Sequence, residues 1–134
     1  MKQLATSGLV VIKDRKLLLT FSKNKKAWYL AGGKVDPGES PVNALIRETL
    51  EELNIWLRPV DLAFYAHITA PAFGESPGVI MEQDCYRCDL AVAPQAQGEI
   101  QKISYFSTEM YKMETPVPGV ILLMEKLKTE GLID

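Results

Sequence analysis

The stretch Gly33-Lys34-Val35-Asp36-Pro37-Gly38-Glu39, followed after seven residues by Arg47-Glu48-Thr49-Leu50-Glu51-Glu52-Leu53-Asn54-Ile55, decides how this chain is read. At ~100° per residue, Glu48, Glu51 and Glu52 occupy one arc of a helix, because i+3 and i+4 spacings relate them. Val42, Leu45, Ile46, Thr49, Leu50 and Leu53 fall on the opposite side at the spacing of a buried stripe. Ser40 is a good N-cap, Pro41 suits the first helical position and Asn54 supplies a left-handed cap, so the sequence predicts a helix over 41–53. That helix has a core face and an acidic face.

Three like charges this close disfavour one another and cost folding energy unless a cation joins them. Carboxylate oxygens are hard ligands suited to Mg²⁺ or Mn²⁺, and Mg²⁺ completes its shell with water and substrate phosphates. The plain alternative is a solvated acidic face, common on Glu-rich helices. The preceding glycine turn, the fixed spacing and the embedded Arg47 favour the metal.

The rest of the chain narrows the setting. Its 134 residues are expected to form one domain spanning 1–134, and a net charge of -2 argues against bulk nucleic acid as a partner. The sequence shows no secretory signal, and its apolar runs fall short of the ~20 residues of a membrane span, so a cytoplasmic protein with no membrane partner is expected. Cys85 and Cys88 form a C-x-x-C, yet zinc wants two more soft ligands and the only histidine is His67. In a strand, residues three apart point to opposite faces, so these thiols are not expected to bridge. His67 reads as a satisfied structural histidine.

Residues 4–12 and 16–21 are apolar runs around a polar Lys13-Asp14-Arg15, which predicts a β-hairpin. A lysine-rich loop, 23–26, leads to a short strand over 27–30 and then to the glycine turn. Beyond the acidic helix, 57–69 and 79–91 read as strands separated by a loop over 71–78, whose two prolines and two glycines exclude regular structure and mark a pocket rim. A short strand lies within 99–106, and Thr115-Pro116 opens a last helix that stops at Gly131. Strands outnumber helices, so the expected class is α+β, with helices covering a mixed sheet.

The pattern Gly33-x5-Glu39-x7-Arg47-Glu48-x-x-Glu51-Glu52 resembles the Nudix box of the Nudix hydrolases (MutT-like), with every charged position present. Thr49, Asn54 and Ala31 depart from the usual residues. Thr49 is expected to bond a carbonyl one turn back, and Asn54 keeps the left-handed geometry. The resemblance implies an αβα sandwich and an Mg²⁺- or Mn²⁺-dependent hydrolase that cleaves a pyrophosphate bond in a nucleoside diphosphate linked to another group. By the same resemblance, Gly32 (through its carbonyl), Glu48, Glu51 and Glu52 are implied metal ligands, and Arg47 is the orienting residue with Glu39 near it. Glu48, Glu99 and another loop acid remain alternative general bases, and Lys34 is a phosphate-binding candidate.

For the lysines at 23, 25 and 26, ordinary solubilising charge is favoured over phosphate binding. Trp28, Phe73 and Tyr86 are candidates to stack on a base, although strand aromatics are more often core. The partner expected is a small nucleotide, a nucleoside triphosphate or a nucleotide sugar such as ADP-ribose, and a homodimer is left open. An RNA 5′-end pyrophosphohydrolase and a non-catalytic nucleotide-sensing module are the alternatives. The first lacks a basic stripe, and the second is expected to have lost a box carboxylate.

Overall fold

Leu9, Val10 and Val11, and again Leu17, Leu18 and Leu19, are buried as unbroken runs, the mark of strands covered on both faces. They lie in and just beyond β1 (Lys2–Val10) and within β3 (Lys16–Ser22), and their side chains divide between two cores. Val10, Leu17 and Leu19 pack with Trp28, Cys85, Phe106 and the apolar side of a helix over 118–129. Leu9, Val11 and Leu18 pack with Leu45 and Leu53 of a helix over 41–53 and with Tyr86. Each such side chain contributes roughly 1.5–3 kcal/mol by leaving water. Residues 2–134 are described, in a computed structural model.

β1 pairs antiparallel with β5 (Gly32–Lys34) and parallel with β7 (Val79–Arg87), which pairs antiparallel with β6 (Ala63–Pro71). The result is a mixed sheet in the order β5-β1-β7-β6. In a second sheet β3 is central, bonded to β8 (Ile100–Phe106), β2 (Ile12–Lys13) and β4 (Ala27–Tyr29). Helix α1 (Pro41–Leu53) covers one face of the mixed sheet. After a single-turn α2 (Thr108–Tyr111), α3 (Pro118–Thr129) covers the other, which makes an α+β sandwich.

Helix α1 has the predicted ends. The Ser40 hydroxyl accepts from the Asn43 N–H at 3.1 Å, and Asn54 takes φ 58° while its N–H donates to the Leu50 carbonyl. Its buried face is narrower than predicted: Leu50 is exposed, while Ala44, Leu45, Thr49 and Leu53 are buried. The Thr49 hydroxyl makes no back-bond among the described residues, and its small side chain packs at zero exposure.

Other expectations are corrected. The hairpin survives only at its turn, where Ile12 and Lys13 face Leu17 and Lys16 around the left-handed Asp14 and Arg15, while residues 2–10 enter the other sheet. A two-stranded hairpin would leave one apolar face of this run in water, and the sandwich covers both. The strand predicted from residue 57 starts at Ala63, because Pro59 opens a 3₁₀ turn (Pro59–Asp61). Its partner ends at Arg87. The last helix begins at Pro118, with Val117 as its N-cap. Cys85 belongs to the α3-side core and Cys88 to the α1-side core, as alternation along a strand requires.

His67 is satisfied yet exposed. Its Nδ1 meets Asp84 and its Nε2 meets Glu82, each at 2.7 Å, and Thr69 also donates to Glu82. Both ring nitrogens donate only when the imidazole is protonated, and hydrogen bonds to Glu82 and then Asp84 raise its pKa. A raised native pKa adds stability that is complete below the unfolded value of ~6.5 and is lost as pH rises through the native value. Urea titrations from about pH 6 to about pH 9 are therefore expected to show the parent losing stability relative to His67→Gln; parallel profiles would show that the two acids do not hold the charged ring.

Candidate functional site

The Arg47 guanidinium ties the glycine turn to α1. Its Nε and Nη2 donate to the two oxygens of Glu39, each at 2.9 Å, while Nη1 donates to Glu48 at 2.9 Å and Nη2 also reaches the Lys34 carbonyl at 3.1 Å. Asp36 and Glu51 lie farther out, at 3.4 and 3.7 Å. Hydrogen bonds from Arg47 and from the Asp36 N–H pull the Glu39 carboxyl down to about 2, so Glu39 is an anion at any physiological pH.

Glu52 points inward. Its Oε1 accepts from the Gly32 N–H at 3.0 Å, which is reachable because Gly32 sits close against β1. Gly32 adopts φ +131°, and a Cβ there would lie 2.1 Å from the Ser7 carbonyl oxygen. Gly33 leaves room for a second carboxylate, since a Cβ there would lie 2.7 Å from Glu48 Cδ. Burial pushes the Glu52 carboxyl up to about 8, the nearby charges of Glu48, Glu99 and Glu51 push the same way, and the Gly32 N–H opposes them. Glu48 is also raised, chiefly by burial against the opposing pull of Arg47.

Glu99 arrives from a distant segment. The N–H groups of Gln95 and Gln97 donate to the carbonyls of Leu53 and Glu52 at the end of α1, and the Gln97 side chain donates to the Leu50 carbonyl at 2.7 Å. These bonds satisfy carbonyls that a helix end leaves free, and they bring Glu99 beside Glu52. Ser22 Oγ then donates to Glu99 Oε1 at 2.7 Å.

These groups line one end of an open cavity of about 530 Å³ that runs between the sheets toward the start of α3. Glu48, Glu52, Glu99, Gly32 and Gly33 form the acidic end, Lys25, Lys34 and Glu75 stand at the rim, and Leu30, Met81 and Val120 give an apolar floor. Tyr29 and Phe73 meet edge-to-face at 6.0 Å on the wall.

Of the residues singled out from sequence, Gly32, Lys34, Glu48, Glu52 and Glu99 line this cavity. Arg47 and Glu39 stand behind it, and Glu51 lies on the outer flank with 58% of its side chain exposed. Among the aromatic candidates, Trp28 is core between Phe21 and Phe106, and Tyr86 packs on Phe64; Phe73 alone reaches the cavity. Tyr29 was missed because neighbours in a strand face opposite ways, and choosing between Trp28 and Tyr29 requires knowing which face is covered. Glu75 lies in the loop marked from sequence as a pocket rim, though nothing singled out that residue within it, and Gln83 carried no signal.

Among the described residues, no three acidic, histidine or cysteine side chains gather at ligating spacing. Glu52 is turned to the Gly32 N–H, Glu48 to Arg47, and Glu51 to solvent. The donors nonetheless suit a hard dication. Glu52 is half-buried beside Glu48 and Glu99 with no cationic side chain paired to it among the described residues, and a divalent ion relieves such a repulsion.

The NUDIX domain family profile matches residues 1–122. The chain belongs to the NUDIX domain family. A protein of Bacillus subtilis (strain 168) named "Putative 8-oxo-dGTP diphosphatase" is 46% identical over 50 residues, 35% of this chain and 34% of that protein. The CTP pyrophosphohydrolase of Escherichia coli (strain K12) is 41% identical over 59 residues, 41% of this chain and 44% of that protein. Each match thus spans less than half of the curated relative's length. The solution structure of the E. coli ORF135 protein superposes with a TM-score of 0.72 at 28% identity, covering 100% of this chain and 96% of that one.

Two glycines of this NUDIX chain are expected to fail differently. Gly32→Ala sets a Cβ against backbone, so it should destabilise the fold by roughly 2 kcal/mol or more, read as a lower urea midpoint. Gly33→Ala should displace the Glu48 carboxylate and cut turnover while melting near the parent. Equal midpoints for parent and Gly32→Ala would show that β5 can withdraw from β1.

Above the raised value of about 8, where Glu52 is charged, Glu52→Gln keeps an oxygen to accept from Gly32 and removes one of the crowded charges, so in EDTA at that pH it should melt no lower than the parent. With Mg²⁺ the parent should gain roughly 2.7 kcal/mol at a hundredfold excess over Kd, and the variant should lose most of that gain. A variant melting well below the parent in EDTA would mean that Glu52 is a structural partner.

Proposed function

We propose that this chain is a Mg²⁺- or Mn²⁺-dependent pyrophosphohydrolase that cleaves a phosphoanhydride bond in a small nucleotide. The observation that carries this reading is the cavity itself: three acids at one end, among which Glu52 has no cationic side chain paired to it among the described residues, lysines at the rim and an apolar, aromatic-walled chamber beyond. Such a cavity offers separate places for a metal, a phosphate chain and a base. The two curated relatives, named for 8-oxo-dGTP and CTP, favour a nucleoside triphosphate over a nucleotide sugar.

Glu52, Glu48 and the Gly32 carbonyl are the proposed metal ligands, with Glu51 available on the flank. When bound, the dication polarises phosphate oxygens and lowers the pKa of water. Arg47 is a positioning residue that holds Glu48 through one nitrogen and is itself held by Glu39. Lys34 neutralises phosphate charge. Glu99 is the proposed proton acceptor: each acid has one oxygen hydrogen-bonded and one without a partner among the described residues, but Glu99 is held by the neutral Ser22 hydroxyl, whereas Glu48 is paired with the Arg47 cation, which disfavours taking up a proton. Tyr29 and Phe73 receive the base.

The test is a panel of triphosphates, nucleotide sugars and dinucleoside polyphosphates assayed with Mg²⁺ or Mn²⁺. Turnover of at least one, abolished by EDTA, is expected. Glu99→Gln should lower kcat by roughly 10²- to 10⁴-fold with metal affinity kept, and Glu48→Gln should weaken metal binding. No metal-dependent turnover across the panel would leave the chain a nucleotide-binding module.

A further inference from the structure

The loop between β6 and β7 carries Glu75, whose two carboxylate oxygens serve two different lysines. Oε2 lies 3.0 Å from Lys25 Nζ and Oε1 lies 3.5 Å from Lys34 Nζ. The lysines come from separate places, the β3–β4 loop and the end of β5, and all three groups line the cavity described above. We propose that Glu75 is a built-in stand-in for the outermost phosphate of a nucleoside polyphosphate, holding Lys25 and Lys34 where that phosphate is received and thereby setting selectivity by phosphate number.

Chemistry supports the exchange. Ammonium groups bind carboxylate and phosphate oxygens by the same charge-assisted hydrogen bonds, and one oxyanion presenting separate oxygens to two lysines is replaced without moving either. Location supports it too. Lys34 directly follows Gly33, the residue packed against Glu48, so the lysine pair flanks the acidic end of the cavity.

The loop is built around this contact. Gly74 adopts φ +80° and passes so near the Lys25 stem that a Cβ would lie 2.9 Å from Lys25 Cδ. The remaining polar ties to the wall are long: Lys25 Nζ and Tyr29 OH both donate to the Phe73 carbonyl, at 3.5 and 3.4 Å. Lys34 keeps 57% of its side chain exposed and Lys25 31%. Ion pairs this open to water are weak, so Glu75 orders the lysines without locking them. A terminal phosphate monoester, with a charge of roughly -1.5 to -2 at neutral pH, outcompetes a single carboxylate. The neutral distal group of a nucleotide sugar offers no anion for the exchange.

The inference rests on the pyrophosphohydrolase reading but is tested apart from turnover, with inorganic tripolyphosphate as the probe. Parent, Glu75→Gln, Lys25→Gln and the double variant are titrated by calorimetry in Mg²⁺ buffer, after thermal melts establish folding. Glu75→Gln should tighten tripolyphosphate by about tenfold, Lys25→Gln should weaken it, and the gain should largely vanish in the double variant. If Glu75→Gln does not fold, weakening by Lys25→Gln alone decides. Equal binding by all folded proteins, undetectable binding included, overturns the proposal, as does weaker binding by Glu75→Gln, which would make Glu75 a support for the lysines. Tighter binding by Glu75→Gln in a protein that hydrolyses no nucleotide would sink the enzyme reading and leave this one standing.

Discussion

The bidentate clasp between Arg47 and Glu39 is the contact on which the site depends. It joins the end of the glycine turn to the middle of α1, and the same guanidinium reaches Glu48 and the Lys34 carbonyl. A planar fork of five donors satisfies these acceptors together, which an ammonium on a flexible stem does not. With only 33% of its side chain exposed, Arg47 anchors a network rather than an isolated surface pair, so losing it would strand several acceptors at once. Arg47 also pairs with Glu39 and Glu48 and leaves Glu52 without a cationic partner among the described residues, which makes the acidic flank two-sided.

Strand β5 adds a second constraint. Gly32 can approach the Ser7 carbonyl only because it lacks a side chain, and that approach aims its N–H at Glu52. The cap formed by Gln95 and Gln97 on the last carbonyls of α1 plays the corresponding part for Glu99. Three segments far apart in sequence thus converge through backbone bonds that the helix end and the sheet edge require anyway. The carboxylates inherit their closeness from main-chain satisfaction, and their mutual repulsion is the cost of it.

The cavity is placed by the topology. Two sheets with two cores leave an opening where the chain passes from β4, paired with β3, to β5, paired with β1, and the loop from β6 to β7 lines it. Its polarity runs from the acids Glu48, Glu52 and Glu99, past two lysines held by Glu75, to an apolar floor. Such an ordered sequence of environments suits a ligand with a charged chain at one end and a flat ring at the other.

The sequence by itself determined the local features: α1 with its Ser40 and Asn54 caps, the acidic arc beside Arg47, the irregular loop, which runs over 72–78 because Pro71 still pairs in β6, and the opposed faces of Cys85 and Cys88. Each depends on neighbours within a few turns or on strand alternation, where spacing and backbone preference suffice. Only the tertiary structure decided what depends on pairing between distant segments. It sent residues 2–10 into a different sheet from β3, turned Glu51 outward and Glu52 inward, and chose Tyr29 over Trp28 for the cavity. It also seated Glu75 between two lysines and delivered Glu99 to the site. Side-chain period places residues on faces, but which face meets a cavity is settled by what packs against it, and that lies beyond the reach of local physics.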